Sequence, residues 1–149
     1  MTTGRRGLAA KEIKSMEQQK FKYIEISQEI NENTFIALES NDFERVKHAL
    51  LSIVWYSGDY PMSITCTRRF FNSNDELIRG FSIECIRHIA RLFRKLPDEF
   101  IEKTLESLND ESHYVKGQAE FTVNDLEIFI KGFKKHHNKF KKDSQSIKT

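Results

Sequence analysis

Apolar residues along this chain recur at spacings of three and four, and no stretch sustains the alternation of a half-buried strand. The pattern breaks at Ser40-Asn41-Asp42, Ser57-Gly58-Asp59, Ser73-Asn74-Asp75, Pro97-Asp98 and Asn109-Asp110, where polar turn formers cluster. Asp and Asn at such places read as helix N-caps, because a side-chain oxygen accepts from the free amides of the first turn. Their spacing predicts an all-α fold with helices of about 11 to 19 residues, near the ordinary length. In the best-patterned stretch, Ile78, Phe81, Cys85, Ile89 and Leu92 form the core stripe, and Gly80, Glu84, Arg87, His88 and Arg91 form the opposite one.

Three stretches align on Asn-Asp: "SNDFERVKHALLSIVWY" from Ser40, "SNDELIRGFSIECIRHIA" from Ser73 and "LNDESHYVKGQAEFTVNDL" from Leu108. Each continues through a short polar turn to an aliphatic residue and a base: Val46-Lys47, Ile78-Arg79, Val115-Lys116. The aliphatic anchors lie 32 and 37 residues apart, a period that means stacked helix pairs burying their apolar faces against one another.

A helix ending in leucine and Asn-Asp, a short turn, then Val/Ile-Lys/Arg opening a second helix resembles the HEAT-repeat pattern over roughly residues 29–131. The third unit, "TLESLNDESHYVKGQAE", fits it best, with Ala119 at the small position between the helices. Ser82 and Leu50 stand there in the second and first units, so the first pair is expected to sit wider. The resemblance implies a short right-handed α-α superhelix of about three pairs: 29–40 with 43–57, 61–72 with 75–94, and 98–108 with 112–131. Residues 16–28 would form a helical cap at one end.

In such an array the second helix of each pair lines the concave face. Carrying positions across by the repeat offset gives two ladders on that face, Trp55–Arg87–Asn124 and Tyr56–His88–Asp125. Aromatic, guanidinium, amide and carboxylate groups are what interface hot spots are built from. The candidate partner-binding residues are therefore Trp55, Tyr56, Asp59, Tyr60, Glu84, Arg87, His88, Arg91, Glu120, Asn124 and Asp125. Two readings of Trp55 stay open, since a helix-end Trp-Tyr pair can equally seal the junction between two units. Glu84, Arg87, His88 and Arg91 likewise have a bland alternative as a solvated face of i, i+3 and i+4 pairs.

Charge divides the chain into three parts. Residues 1–15 carry four basic side chains against one acidic, residues 131–149 seven against one, and residues 16–130 thirteen against twenty. The body is thus −7 between two basic ends, and it favours basic partners over nucleic acid. Residues 1–15 are expected to be a flexible basic extension, with Met16 a candidate start, residues 16–131 a single domain, and residues 132–149 a flexible basic tail.

Other chemistry finds little support in the sequence. The five histidines form neither HExxH nor a Cys/His cluster, no GxSxG or Gly-rich phosphate loop occurs, and no metal, cofactor or enzymatic activity is expected. Cys66 and Cys85 stand apart as small hydrophobes suited to a reducing compartment. No apolar run exceeds four residues and no apolar signal core follows the N-terminus, so a cytoplasmic protein with no membrane partner is expected.

A second resemblance rests on the unit "SNDFERVKHALLSIVWYSGDYP" and the general layout: the chain is similar to HEAT-type immunity proteins of bacterial contact-dependent growth-inhibition systems. It implies a monomer that binds the C-terminal toxin domain of a delivered effector one to one. A ribonuclease is the expected toxin, its active site occluded by an acidic and aromatic concave surface. The alternatives are a HEAT scaffold or adaptor for another protein, and nucleic-acid binding through "GFKKHHNKFKK" from Gly132.

Overall fold

The computed structural model describes residues 26–147, with side chains described as far as residue 143. Seven α-helices and no strand are found among these residues: α1 (Glu32–Leu38), α2 (Phe43–Tyr56), α3 (Tyr60–Arg68), α4 (Glu76–Phe93), α5 (Asp98–Ser107), α6 (His113–Phe129) and α7 (Phe133–Ile147). The protein is all-α. Residues 1–25, which carry the expected extension and most of the expected N-terminal cap, lie outside the described residues.

Local chemistry accounts for the helix starts. The Asp42 carboxylate accepts from the Arg45 amide at 3.0 Å, Asp59 from Met62 at 2.9 Å, and Asp75 from Leu77 and Ile78 at 2.9 and 3.3 Å. Asn31 caps α1 reciprocally, its side chain accepting from Asn33 while the Thr34 hydroxyl accepts from the Asn31 amide. Asp110 was expected to cap the third unit, but Ser112 does so. Asp110 instead accepts from the Ser112 amide at 2.9 Å and takes a bidentate contact from Arg79 at 2.9 and 3.0 Å. A side chain engaged by a guanidinium 31 positions away is not free to close a helix end.

Helix α1 packs against α2, α3 against both α2 and α4, and α5 against both α4 and α6. The second helices lie side by side in the order α2, α4, α6, with the α4–α6 contact the most extensive. Packed against four other helices, α4 is buried round most of its circumference. Gly80 and His88, expected on its polar side, are therefore buried, whereas Leu92, expected in the core, is 48% exposed on the last turn.

Close approach of α4 and α6 makes Gly80 necessary. A Cβ there would lie 2.4 and 2.6 Å from Cε1 and Cδ1 of Tyr114, well inside van der Waals contact. Nearby, the Thr122 hydroxyl donates to the Gln118 carbonyl at 2.8 Å and lies 3.2 Å from the Ile83 carbonyl across the interface. Gly80→Ala should cost about 1–3 kcal/mol, the usual range for overpacking. Much of that loss should vanish in a Tyr114→Ala background, read as non-additivity in urea unfolding.

Long-range polar ties join successive pairs at a separation of 30 or 31 residues: Arg69 to Glu39, Arg68 to Glu99, Lys103 to Asn72 and Arg79 to Asp110. These separations are shorter than the 32 and 37 residues between the aliphatic anchors. Three are exposed and contribute little. The Arg79–Asp110 pair is more than four-fifths buried, and Arg79 also donates to the Ser73 carbonyl at 2.8 Å.

The hydrogen bond from Arg79 holds the Asp110 carboxyl below its usual range against the opposing effect of burial, with help from the Ser112 amide. A lowered folded pKa gives stability that is present above the unfolded value of about 3.9 and lost as pH falls through the folded value. Asp110→Asn should lower stability at pH 7 by about 1–3 kcal/mol, the usual loss for a hydrogen bond to a charged group. It should also flatten the acid limb below about pH 4, checked by denaturant unfolding across pH.

The segment expected as a flexible tail is helical from Phe133, and the physical reason is packing. Phe133 is almost wholly buried, Phe140 packs part-buried against the core, and His136 lies 3.5 Å from Asp98 on α5. Lysines dominate the remaining positions and hide this apolar stripe from a composition-based reading.

Candidate interaction face

Helical spacing on α2 places Lys47, Leu51 and Trp55 on one stripe, and on α4 it places Glu84, Arg87, His88 and Arg91 alongside. Between the two lies a depression of about 260 Å³ walled by both stripes, with Ile26 also on its rim. Trp55 is 36% exposed, so it neither seals a junction completely nor stands clear of the protein. Its ring meets His88 edge-on at 5.5 Å between centroids and Tyr56 edge-on at 6.3 Å.

His88 organises the floor of this site. Only 8% exposed, it receives a contact from the Arg91 guanidinium at Nδ1, 3.1 Å away, and presents Nε2 to Glu84 at 3.5 Å. A guanidinium only donates, so its approach leaves Nδ1 as the acceptor and assigns the ring proton of a neutral imidazole to Nε2, facing Glu84. Burial raises the Glu84 pKa, but the hydrogen bond from His88 and the charges of Arg87 and Lys47 outweigh it and hold the carboxyl below its usual value.

Arg87 lies 3.5 Å from Glu84 and 3.7 Å from Asp125, which links α4 to α6. The two expected ladders therefore exchange partners, since Trp55 meets His88 while Asp125 meets Arg87. One helical position separates the arrangements, and α2 ends at Tyr56 whereas α4 continues to Phe93. Acidic charge on this face is matched internally, because Arg87 answers both Glu84 and Asp125. The face is mixed in sign with an aromatic end, rather than uniformly acidic.

On α6, Glu120 and Asn124 are exposed and Asp125 is part-buried. Between and beyond them stand Phe121 and Ile128, 61% and 70% exposed, which the sequence reading did not single out. A signal was available: the two lie seven residues apart, on the side opposite Val115, Ala119, Thr122 and Leu126. Large apolar side chains aligned on the solvent side of an amphipathic helix mark a binding surface more often than a lone exposed one does.

Asp59 and Tyr60 are not brought to this face as binding groups. The Asp59 carboxylate is engaged in capping α3, and Tyr60 is wedged between the Phe93 ring at 5.4 Å and the Lys95 ammonium at 4.4 Å. Charge reversal at Asp59 would thus report on helix capping.

Among the described residues no group of three or more His, Cys, Asp or Glu is placed to hold a metal ion, and no helix is long and apolar enough to cross a membrane. Comparison with known proteins finds no matching family model, curated protein or solved structure.

Proposed function

We propose that the chain is a stoichiometric protein-binding module, an immunity protein that neutralises the C-terminal toxin domain of a contact-dependent growth-inhibition effector by covering its active site. The reading takes the helix pairs as a short HEAT-like superhelix whose second helices present the binding surface. The observation that carries it is Trp55, left part-exposed over a buried His88 that has a polar neighbour at each ring nitrogen. A half-open aromatic on a rigid polar floor is the kind of anchor around which interface hot spots form. Phe121 and Ile128 extend the apolar contact.

The test is direct. The reading predicts a large effector gene immediately upstream; its C-terminal domain is purified and titrated with the full chain, following both binding and nuclease activity. The reading expects saturation at one to one with loss of activity, and an active toxin domain that does not bind would refute it. An adaptor for another protein would use the same face and leave this toxin untouched.

One observation favours a second reading. Because residues 133–147 form a helix, Lys134, Lys135, Lys141 and Lys142 stand exposed on an ordered element that could follow a phosphate backbone. Deleting the segment would remove buried Phe133, so charge substitution is the cleaner probe. Lys134→Glu with Lys141→Glu should abolish salt-sensitive RNA binding, measured by anisotropy, if this reading holds. Absence of such binding in the unaltered chain excludes it.

A further inference from the structure

We propose that the C-terminal ends of α2, α4 and α6 form a basic and apolar edge that takes an acidic amphipathic helix of a protein partner. Tyr56, Leu92 and Ile128 are its apolar seats, and Arg94, Lys95, Lys131, Lys134 and Lys135 supply its charge. The inference rests on the protein-binding reading of the adjoining face, but not on the partner being a toxin.

Contacts between the three helices bring these ends together. Along α2 and α4, Phe43 meets Phe81 and, further on, Trp55 meets His88. Along α4 and α6, Gly80 faces Tyr114, Ile83 faces Thr122 and Arg87 faces Asp125. Partners advance together in both series, so the three helices run parallel and their C-termini lie on one side of the array. The Arg94 guanidinium, 4.6 Å over the Phe129 ring, closes the alignment of α4 with α6.

Apolar exposure then recurs at each end. Tyr56 is the last residue of α2, and Leu92 and Ile128 are the last but one of α4 and α6; they are 43, 48 and 70% exposed. Successive seats are 36 residues apart in the chain and one helix apart in space, about 8–10 Å. One face of a helix returns every seventh residue, about 10.5 Å along its axis, so apolar side chains at i, i+7 and i+14 match the three seats.

Charge selects the sign of the partner. Among the described residues none of the five bases is in an ion pair. Arg94 lies over Phe129 and Lys95 over Tyr60, while Lys131, Lys134 and Lys135 are exposed. Asp98 and Glu99, which follow on the chain, face His136 and Arg68, and Glu127 is left as the acidic neighbour of Ile128. Helix dipoles account for bases at a C-terminus, but Lys134 and Lys135 stand in the first turn of α7, where positive charge is unfavourable. Arg94 is likewise set against local preference, at φ 58° where glycine is favoured. A guanidinium stacked on a ring keeps its edge donors for a carboxylate.

Other anionic partners fit this edge less well. Single-stranded RNA stacks its bases on aromatic rings, and two of the three seats are aliphatic. A bilayer is entered by side chains that project from the protein, whereas Tyr56 and Leu92 are more than half covered in place. A helix that brings its own apolar side chains to shallow seats meets both conditions.

The probe is a helical peptide of about 18 residues, with leucine at every seventh position among Glu and Ala, titrated into the isotope-labelled full chain. A second peptide carries Lys in place of every Glu. Saturable amide shifts at Tyr56, Leu92 and Ile128 are expected with the acidic peptide and not with the basic one. Lys131→Glu with Lys135→Glu should weaken binding at least about tenfold at an unchanged urea midpoint, and Leu92→Ser with Ile128→Ser should do the same. No saturable shift at these amides, or unchanged affinity in either double variant, overturns the proposal. So does tighter binding of oligouridylate or of phosphatidylserine vesicles than of the acidic peptide, which would assign the edge to RNA or to a membrane. If the effector domain binds and the acidic peptide does not, the inference fails and the immunity reading stands; the reverse result sinks the immunity reading alone.

Discussion

Replacing Phe100 by alanine should cost about 3–5 kcal/mol, the range for removing a fully buried aromatic side chain. Phe100 has no exposed surface, meets Phe71 edge-on at 4.7 Å, and lies under the Arg68 guanidinium at 5.7 Å. These contacts join the loop after α3 to the first turn of α5, two segments that share no backbone hydrogen bonds. The cavity would open at the seam between the second and third pairs, where little can relax to fill it. A protein of this size has about 5–15 kcal/mol of stability in total, so the variant should unfold at markedly lower urea concentration or fail to accumulate. Phe100→Leu, which keeps most of the volume, should lose well under half as much.

Trp55 is expected to behave in the opposite way. Its ring is part-exposed and its neighbours are Tyr56 and His88, so Trp55→Ala should cost only about 1 kcal/mol of folding stability, mainly through the lost edge-to-face contacts. Its effect on partner binding should be larger, about 2–4 kcal/mol, the scale of an interface anchor and equivalent to roughly 30- to 1000-fold in affinity. Most of that should appear as faster dissociation, because removing an apolar anchor leaves electrostatic encounter untouched. Glu84→Gln would be a poorer probe: Glu84 faces both His88 and Arg87, and its loss disturbs two side chains in the floor of the site at once.

Much of the architecture was legible because it is set locally. Asp42, Asp59 and Asp75 cap helices through amides two or three residues away, and such signals survive in a linear reading. The anchors Val46, Ile78 and Val115 are all buried, as their repeat spacing implied. What escaped depends on neighbours distant in sequence. Asp110 could not be told from a cap without knowing that Arg79 reaches it, and the central place of α4 buries Gly80 and His88 on a side that periodicity alone marks as polar. Helix α7 was hidden by its lysines, although Phe133 and Phe140 carry its packing.

Within the candidate site, residue types were easier to read than their pairings. Glu84, Arg87, His88 and Asp125 do converge, yet a shift of one position decides that Trp55 meets His88 and Asp125 meets Arg87. Phe121 and Ile128 passed unremarked because exposure, rather than residue type, makes them notable.

Dissociation from the full chain of the effector C-terminal domain proposed as its partner, compared among the unaltered protein, Trp55→Ala and Phe121→Ala, tests the central claim most directly. The predicted result is a one-to-one complex that both substitutions loosen, Trp55→Ala by at least about 30-fold, while urea midpoints stay near that of the unaltered chain. Equal dissociation rates for all three folded proteins would contradict the account and move the binding surface away from α2, α4 and α6.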